Sequence, residues 1–118
     1  MSQYILIIDD DPAIRETLIE ALEEEGYNVE AATNGAEGLA AIERAVPAMV
    51  LLDMRMPVLD GWGFARALSE RAIDVPLVVM TAAQESTQWS QEINAAALLA
   101  KPFSLDALIE AVARICPR

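Results

Sequence analysis

Residues 4–12 read Tyr4-Ile5-Leu6-Ile7-Ile8-Asp9-Asp10-Asp11-Pro12, an unbroken apolar run that ends in three carboxylates and a proline. Such a run, rich in β-branched residues and without polar alternation, is the pattern of a strand covered on both faces, as in a parallel sheet. Pro12 suits the first turn of a helix, and Asp11 can cap it. Ile14, Leu18 and Leu22 then recur every four residues as one buried stripe, and Gly26 stops the helix. The chain therefore begins with a strand and a helix joined at an acidic corner.

The same unit repeats. Val29-Glu30-Ala31-Ala32 is a weaker strand, and Asn34-Gly35 precedes a helix carrying Leu39 and Ile42 that ends near Val46-Pro47. Met49-Val50-Leu51-Leu52 is again of the buried type and ends in Asp53; the loop Met54-Arg55-Met56-Pro57-Val58-Leu59-Asp60-Gly61 and a helix to about Arg71 follow. Pro76-Leu77-Val78-Val79-Met80 is the fourth strand and ends at Thr81. Polar residues from Gln84 to Asn94 suggest an exposed fourth helix, with Trp89 as a core plug or a partner contact. Ala97-Leu98-Leu99-Ala100 is a short fifth strand ending at Lys101-Pro102. Ser104 can cap the last helix, with Phe103 and Leu108 as a hydrophobic staple and Leu105, Leu108, Ile109, Val112 and Ile115 as its apolar stripe. Five strands alternating with five helices through short connections call for right-handed crossovers. The expected fold is α/β: a doubly wound five-stranded parallel sheet, (βα)5 and flavodoxin-like, with strand order 2-1-3-4-5.

Length and composition narrow the chemistry. At 118 residues the chain is the size of one domain, and with 54% hydrophobic residues it can fill a core without disulfides or a structural metal. It has no histidine and one cysteine, Cys116, so there is no Cys/His cluster and zinc, haem and iron–sulfur chemistry are not expected, while Ser-His-Asp and Cys-His catalysis are excluded. Any acid, base or nucleophile is a carboxylate, a lysine or a hydroxyl. A net charge of −11 repels phosphate backbones and anionic headgroups, so no direct nucleic acid or membrane partner is expected. Glu23-Glu24-Glu25 reads as a solvated face. No apolar run reaches the roughly 18 residues of a membrane span, and the first residues lack a signal-type n-region; a cytoplasmic location is expected.

In an open parallel sheet, ligands bind beyond the carboxyl ends of the strands where the strand order reverses. Asp9, Asp10 and Asp53 follow two neighbouring strands in the 2-1-3-4-5 order and are expected to converge there. Close carboxylates repel, and a hard divalent cation such as Mg²⁺ is the simplest way to offset that. Lys101, the only lysine in the chain, and Thr81 end strands on the same sheet edge. A carboxylate nucleophile, a divalent cation, a lysine and a hydroxyl form the set that phosphoryl transfer onto Asp53 would use.

Taken in order, Ile7-Ile8-Asp9-Asp10, Leu52-Asp53-Met54-Arg55-Met56-Pro57, Asp60-Gly61, Met80-Thr81-Ala82 and Lys101-Pro102-Phe103 resemble the receiver domain of two-component response regulators, the CheY-like fold, over essentially the whole chain. The resemblance implies a single receiver domain over residues 1–118 that takes a phosphoryl group on Asp53 from a sensor histidine kinase or phosphotransfer protein. Its only self-catalysed chemistry would be Mg²⁺-dependent phosphorylation and dephosphorylation. It implies Mg²⁺ (or Mn²⁺) held by Asp9, Asp10, Asp53 and the backbone carbonyl of Arg55, with Thr81 and Lys101 on the phosphoryl group. The kinase would dock around Ile14, Arg15, Leu18, Pro102 and Phe103. A downstream protein partner would read the face of the fourth helix, fifth strand and last helix, including Leu98, in a monomer or a phosphorylation-dependent dimer. Leu98 stands where the family usually has Tyr or Phe, so aromatic switching is not carried over. Arg55 and Ala83 occupy positions that in this family flank the path of attacking water.

Two other readings compete. Asp9-x-Asp11 also starts the motif of haloacid-dehalogenase-like phosphatases, but Ala13 stands where those enzymes carry threonine and the chain is short for their cap. A phosphorylation-independent module of the same fold would leave the acidic pocket without work, whereas all five pocket positions are filled.

Overall fold

The computed structural model describes residues 4–54, 61–82, 95–101 and 103–116. Five strands, β1 (Ile5–Ile8), β2 (Val29–Ala32), β3 (Met49–Asp53), β4 (Leu77–Ala82) and β5 (Ala97–Lys101), form one sheet of order β2-β1-β3-β4-β5. All four pairings are parallel. Four helices lie among the described residues: α1 (Pro12–Glu24), α2 (Gly35–Arg44), α3 (Gly61–Glu70) and α4 (Leu105–Ile115). The helix expected from Gln84 to Asn94, with Trp89, lies outside them.

The continuous apolar runs are explained by the two-residue period of a strand. In β1, Ile5 and Ile7 face one core layer, and Leu6 and Ile8 face the other. Met49 and Leu51 of β3 and Val78 and Met80 of β4 join the first layer, while Val50, Leu52, Leu77 and Val79 join the second. The first layer is closed by Leu18 and Leu22 of α1 and by Leu108, Ala111 and Val112 of α4. The second is closed by Ala41 and Ile42 of α2 and by Phe64 and Leu68 of α3. Every residue of β1 and β3 is buried, so no polar face was available to these strands. β2 is an edge strand; its Glu30 and Ala31 are exposed, which accounts for its weaker signal.

The helix ends follow local chemistry. Asp11 caps α1, its Oδ1 accepting from the amides of Ala13 and Ile14 at 2.9 and 3.4 Å, with Pro12 in the first turn. Ser104 caps α4 by accepting from the Ala107 amide at 3.0 Å. The expected stripe of α4 needs one correction: Leu105 is 44% exposed. It stands at the first helical position, and Phe103, just before the cap, packs against the core at that end instead.

Helices α1 and α3 end in the same hydrogen-bond pattern. After α1, Gly26 N–H donates to Glu23 and Tyr27 N–H to Leu22; after α3, Ala72 N–H donates to Ser69 and Ile73 N–H to Leu68. This termination needs a left-handed residue, and the two helices differ in how they supply it: Gly26 has φ 94°, but Ala72 has φ 55°. An alanine Cβ in that region costs about 1 kcal/mol. Ala72→Gly is therefore expected to stabilise the protein by about 0.5 to 1 kcal/mol, and Gly26→Ala to destabilise it by at least as much, in urea unfolding. A loss of stability in Ala72→Gly would contradict this account.

Tyr4 is buried at the start of the sheet, and its hydroxyl donates to the Ala45 carbonyl at the end of α2, with the Ala41 carbonyl at 3.4 Å. Burial pushes the phenol above its ordinary range, because the fold favours the neutral form; nearby Glu30 acts in the same direction. The bond's contribution is thus intact below the unfolded pKa of about 10 and is lost as pH rises through the folded value. Tyr4→Phe is expected to cost about 1 kcal/mol at pH 7 and to flatten the alkaline fall of melting temperature between about pH 9.5 and 11. An unchanged alkaline limb would show that Tyr4 does not set it.

Candidate functional site

The carboxyl end of the sheet gathers the polar residues. In the β1–β3 register Ile8 lies opposite Leu52, so the next step sets Asp9 beside Asp53, and the Asp9 amide extends the ladder by donating to the Ala32 carbonyl at 3.2 Å. Both residues continue the parity of Ile7 and Leu51 and so project toward one side. Asp9 is 0% and Asp53 6% exposed, while the neighbouring Asp10 is open to solvent. One carboxylate oxygen from each of Asp9, Asp10 and Asp53 lies within 4.8 Å of the others. The expected convergence is present.

These residues are held apart from free adjustment by the loop that carries them. Asp9 Oδ1 accepts from the Asp11 amide at 2.9 Å, while Asp11 is occupied as the α1 cap. Capping thus accounts for Asp11 and leaves Asp9, Asp10 and Asp53 as the cluster. On the β3 side, Gly61 N–H donates to the Met54 carbonyl at 3.2 Å, and a Cβ at position 61 would lie 2.9 Å from Met54 Cα. Only glycine permits that close approach, which brings the end of β3 against the start of α3 and closes the loop following Asp53.

Two like charges within 4.8 Å of each other repel by about 3 kcal/mol or more at an effective dielectric of about 20, before any other partner is counted. A group of oxygen ligands with no sulfur or imidazole suits Mg²⁺ or Mn²⁺, and the exposed side at Asp10 leaves room for the waters that Mg²⁺ retains. The donor set therefore fits a hard divalent cation.

Thr81 lies next to this cluster in the sheet: Asp53 pairs with Met80, and Thr81 follows it. It is 3% exposed, and its hydroxyl has no hydrogen-bond partner among the described residues. A buried hydroxyl left without a partner costs roughly 1 to 3 kcal/mol, so one that persists at a strand end is suited to an incoming acceptor. Lys101 closes β5 beside Ala82 in the backbone register; its side chain lies outside what the structure describes, as do Arg55, Ala83 and Pro102.

Among the positions assigned to partner contact, Ile14 and Arg15 are half-buried on α1, and Leu98 and Phe103 are half-buried against the two core layers. Leu18 is 2% exposed and packs between α1 and the sheet, so it holds α1 in place rather than offering a surface. One feature was not legible in sequence: Arg15 Nη1 donates to the Asp9 carbonyl at 2.8 Å. The i, i+6 spacing across a helix start carries no periodic signal.

A family model of the response regulator receiver domain matches residues 5–113. The response regulator MprA of Mycobacterium bovis (strain BCG / Pasteur 1173P2) is 40% identical over 111 residues, covering 92% of this chain and 48% of that protein. MprA of Mycobacterium leprae (strain TN) is 37% identical over 116 residues, covering 97% of this chain and 51% of that protein. The chain thus spans about half the length of the curated relatives it matches. Among solved structures, the Francisella response regulator 1452 receiver domain superposes with a TM-score of 0.88 at 30% identity, covering 97% of this chain and 96% of that one. The Vibrio cholerae chemotaxis protein CheY4 superposes with a TM-score of 0.86 at 28% identity, covering 98% and 99%. With its sheet order, its acidic strand ends and these relatives in agreement, the chain belongs to the response regulator receiver domain family of two-component systems.

Proposed function

We propose that this chain is a phosphorylation-controlled switch in which Asp53 accepts a phosphoryl group from a histidine kinase or phosphotransfer protein. The observation that carries the reading is the meeting of the Asp9, Asp10 and Asp53 oxygens within 4.8 Å, next to the buried Thr81 hydroxyl, which has no hydrogen-bond partner among the described residues. Asp53 terminates a fully buried strand, so its carboxylate is held at the sheet edge with little freedom to turn away. In the transfer step an Asp53 carboxylate oxygen bonds to phosphorus as the P–N bond to the donor histidine breaks, and the electron pair leaves with the imidazole. A divalent cation bound by Asp9, Asp10, Asp53 and the Arg55 carbonyl supplies positive charge that offsets both the carboxylates and the phosphoryl oxygens.

The remaining residues take complementary roles. The Thr81 hydroxyl donates to a phosphoryl oxygen, a partner that none of the described residues supplies, and the Lys101 ammonium pairs with the same group. Because Thr81 and Lys101 lie near the ends of the adjacent strands β4 and β5, their engagement is passed to β5 and to the edge that carries Leu98. A downstream protein partner reads that edge, while the kinase docks over Ile14 and Arg15 of α1 and the Pro102-Phe103 loop. Receiver domains are signalling switches, and the proposed chemistry is self-phosphorylation and self-dephosphorylation rather than turnover of a free substrate. The proposed setting is the cytoplasm; no helix among the described residues is long and apolar enough to cross a membrane.

Intact mass after incubation with acetyl phosphate tests the reading. A gain of one phosphoryl group is expected in the presence of Mg²⁺ and is expected to vanish with chelator or in Asp53→Asn. No gain under any condition would overturn it and favour a phosphorylation-independent interaction module.

A further inference from the structure

We propose that Arg15 is a positioning residue for the carboxylate cluster: its guanidinium holds the backbone of Asp9 and thereby sets the geometry with which the cluster takes a divalent cation. This rests on the reading of Asp9, Asp10 and Asp53 as a cation site. Asp9 sits one residue past the end of β1, where the ladder no longer fixes it on both sides. Contacts at three of its groups help set its position. The amide donates to the Ala32 carbonyl at 3.2 Å, carboxylate Oδ1 accepts from the Asp11 amide at 2.9 Å, and the carbonyl accepts from Arg15 Nη1 at 2.8 Å. The first two use main-chain partners. The third comes from a side chain, so it can be removed without rebuilding the backbone.

Arg15 is itself well anchored for this task. Its amide donates to the Asp11 carbonyl at 3.0 Å in the first turn of α1, and its side chain is half-buried. It is the only Lys or Arg between Pro12 and Glu24. Across the gap to α2 lies Glu37, whose carboxyl is held below the usual range chiefly by the Thr33 amide and hydroxyl, with the Arg15 charge acting in the same direction. The Thr33 amide donates to Glu37 Oε1 at 2.9 Å, which ties this charge to the turn directly after the Ala32 carbonyl that receives the Asp9 amide. Arg15 thus stands between two segments that fix Asp9.

The charge and the hydrogen bond of Arg15 have opposite consequences for a cation. Its positive charge disfavours a divalent ion at the neighbouring carboxylates, so removing only charge tightens binding. Its hydrogen bond keeps Asp9 in place, so removing only position weakens binding; residues that orient ligands from behind typically contribute about 10- to 100-fold in metal affinity. The sign of the change therefore separates the two, and a purely stabilising role moves neither.

The test is Mg²⁺ titration by calorimetry, far below the melting temperature, of the full chain and of Arg15→Met and Arg15→Lys. Arg15→Met keeps the aliphatic length without a donor and is expected to weaken Mg²⁺ binding about tenfold, against the electrostatic trend. Arg15→Lys keeps one charge and one donor and is expected to recover part of that loss. An unchanged or tighter Kd in a cooperatively folded Arg15→Met would overturn the proposal while leaving the cation site standing. If Arg15→Met does not fold, Arg15→Lys decides: weaker binding supports the proposal and an unchanged Kd overturns it. Failure of the wild-type chain to bind Mg²⁺ would overturn the reading of the cluster, and the positioning role with it.

Discussion

The β1–β3 register forces buried carboxylates together, and much of the local structure can be understood as the means of holding them there. Ile5–Ile8 and Met49–Asp53 are buried throughout, so neither strand can slip by one residue without moving a whole set of apolar side chains between the two core layers. With the register fixed, Asp9 and Asp53 project side by side. Strand movement cannot separate them, and a divalent cation is one way to offset the charge they gather. Burial of the sheet thereby fixes where the carboxylate cluster stands.

The loop after β1 serves the same end with short-range bonds. Asp11 is committed to the α1 amides, and its own amide engages Asp9, so a single residue both starts the helix and holds the Asp9 carboxylate. Asp10, between them, remains open to solvent. Three consecutive aspartates thus have three different occupations, set by whether each side chain meets a helix terminus, the sheet edge or water. The Thr81 hydroxyl, buried and without a hydrogen-bond partner among the described residues, is the neutral counterpart of this arrangement.

The sheet was largely legible in the sequence because its signals are local and repeated. Uninterrupted apolar runs marked β1, β3 and β4, Asp11 and Ser104 marked helix starts, and a strand ending in an acid recurred at Asp9 and Asp53. What escaped notice depends on bonds between distant or aperiodic positions. The grip of Arg15 on the Asp9 carbonyl, the reach of Tyr4 to α2 and the left-handed Ala72 leave no spacing pattern, since each is a single side chain or backbone angle determined by packing. Leu105 misled for a related reason: periodicity assigns a face to the whole helix but does not show that Phe103 covers the core at its first turn.

Thermal melting of the wild type and Asp53→Asn, each with chelator and with Mg²⁺, tests most directly the proposal that the carboxylate cluster gathers negative charge which a divalent cation offsets. Asp53→Asn in chelator is expected to melt at least about 4 °C higher than the wild type, roughly 1 kcal/mol for a chain of this length. Mg²⁺ is also expected to raise the wild-type melting temperature while leaving the variant nearly unmoved. An Asp53→Asn variant no more stable than the wild type, together with a wild type indifferent to Mg²⁺, would contradict the proposal.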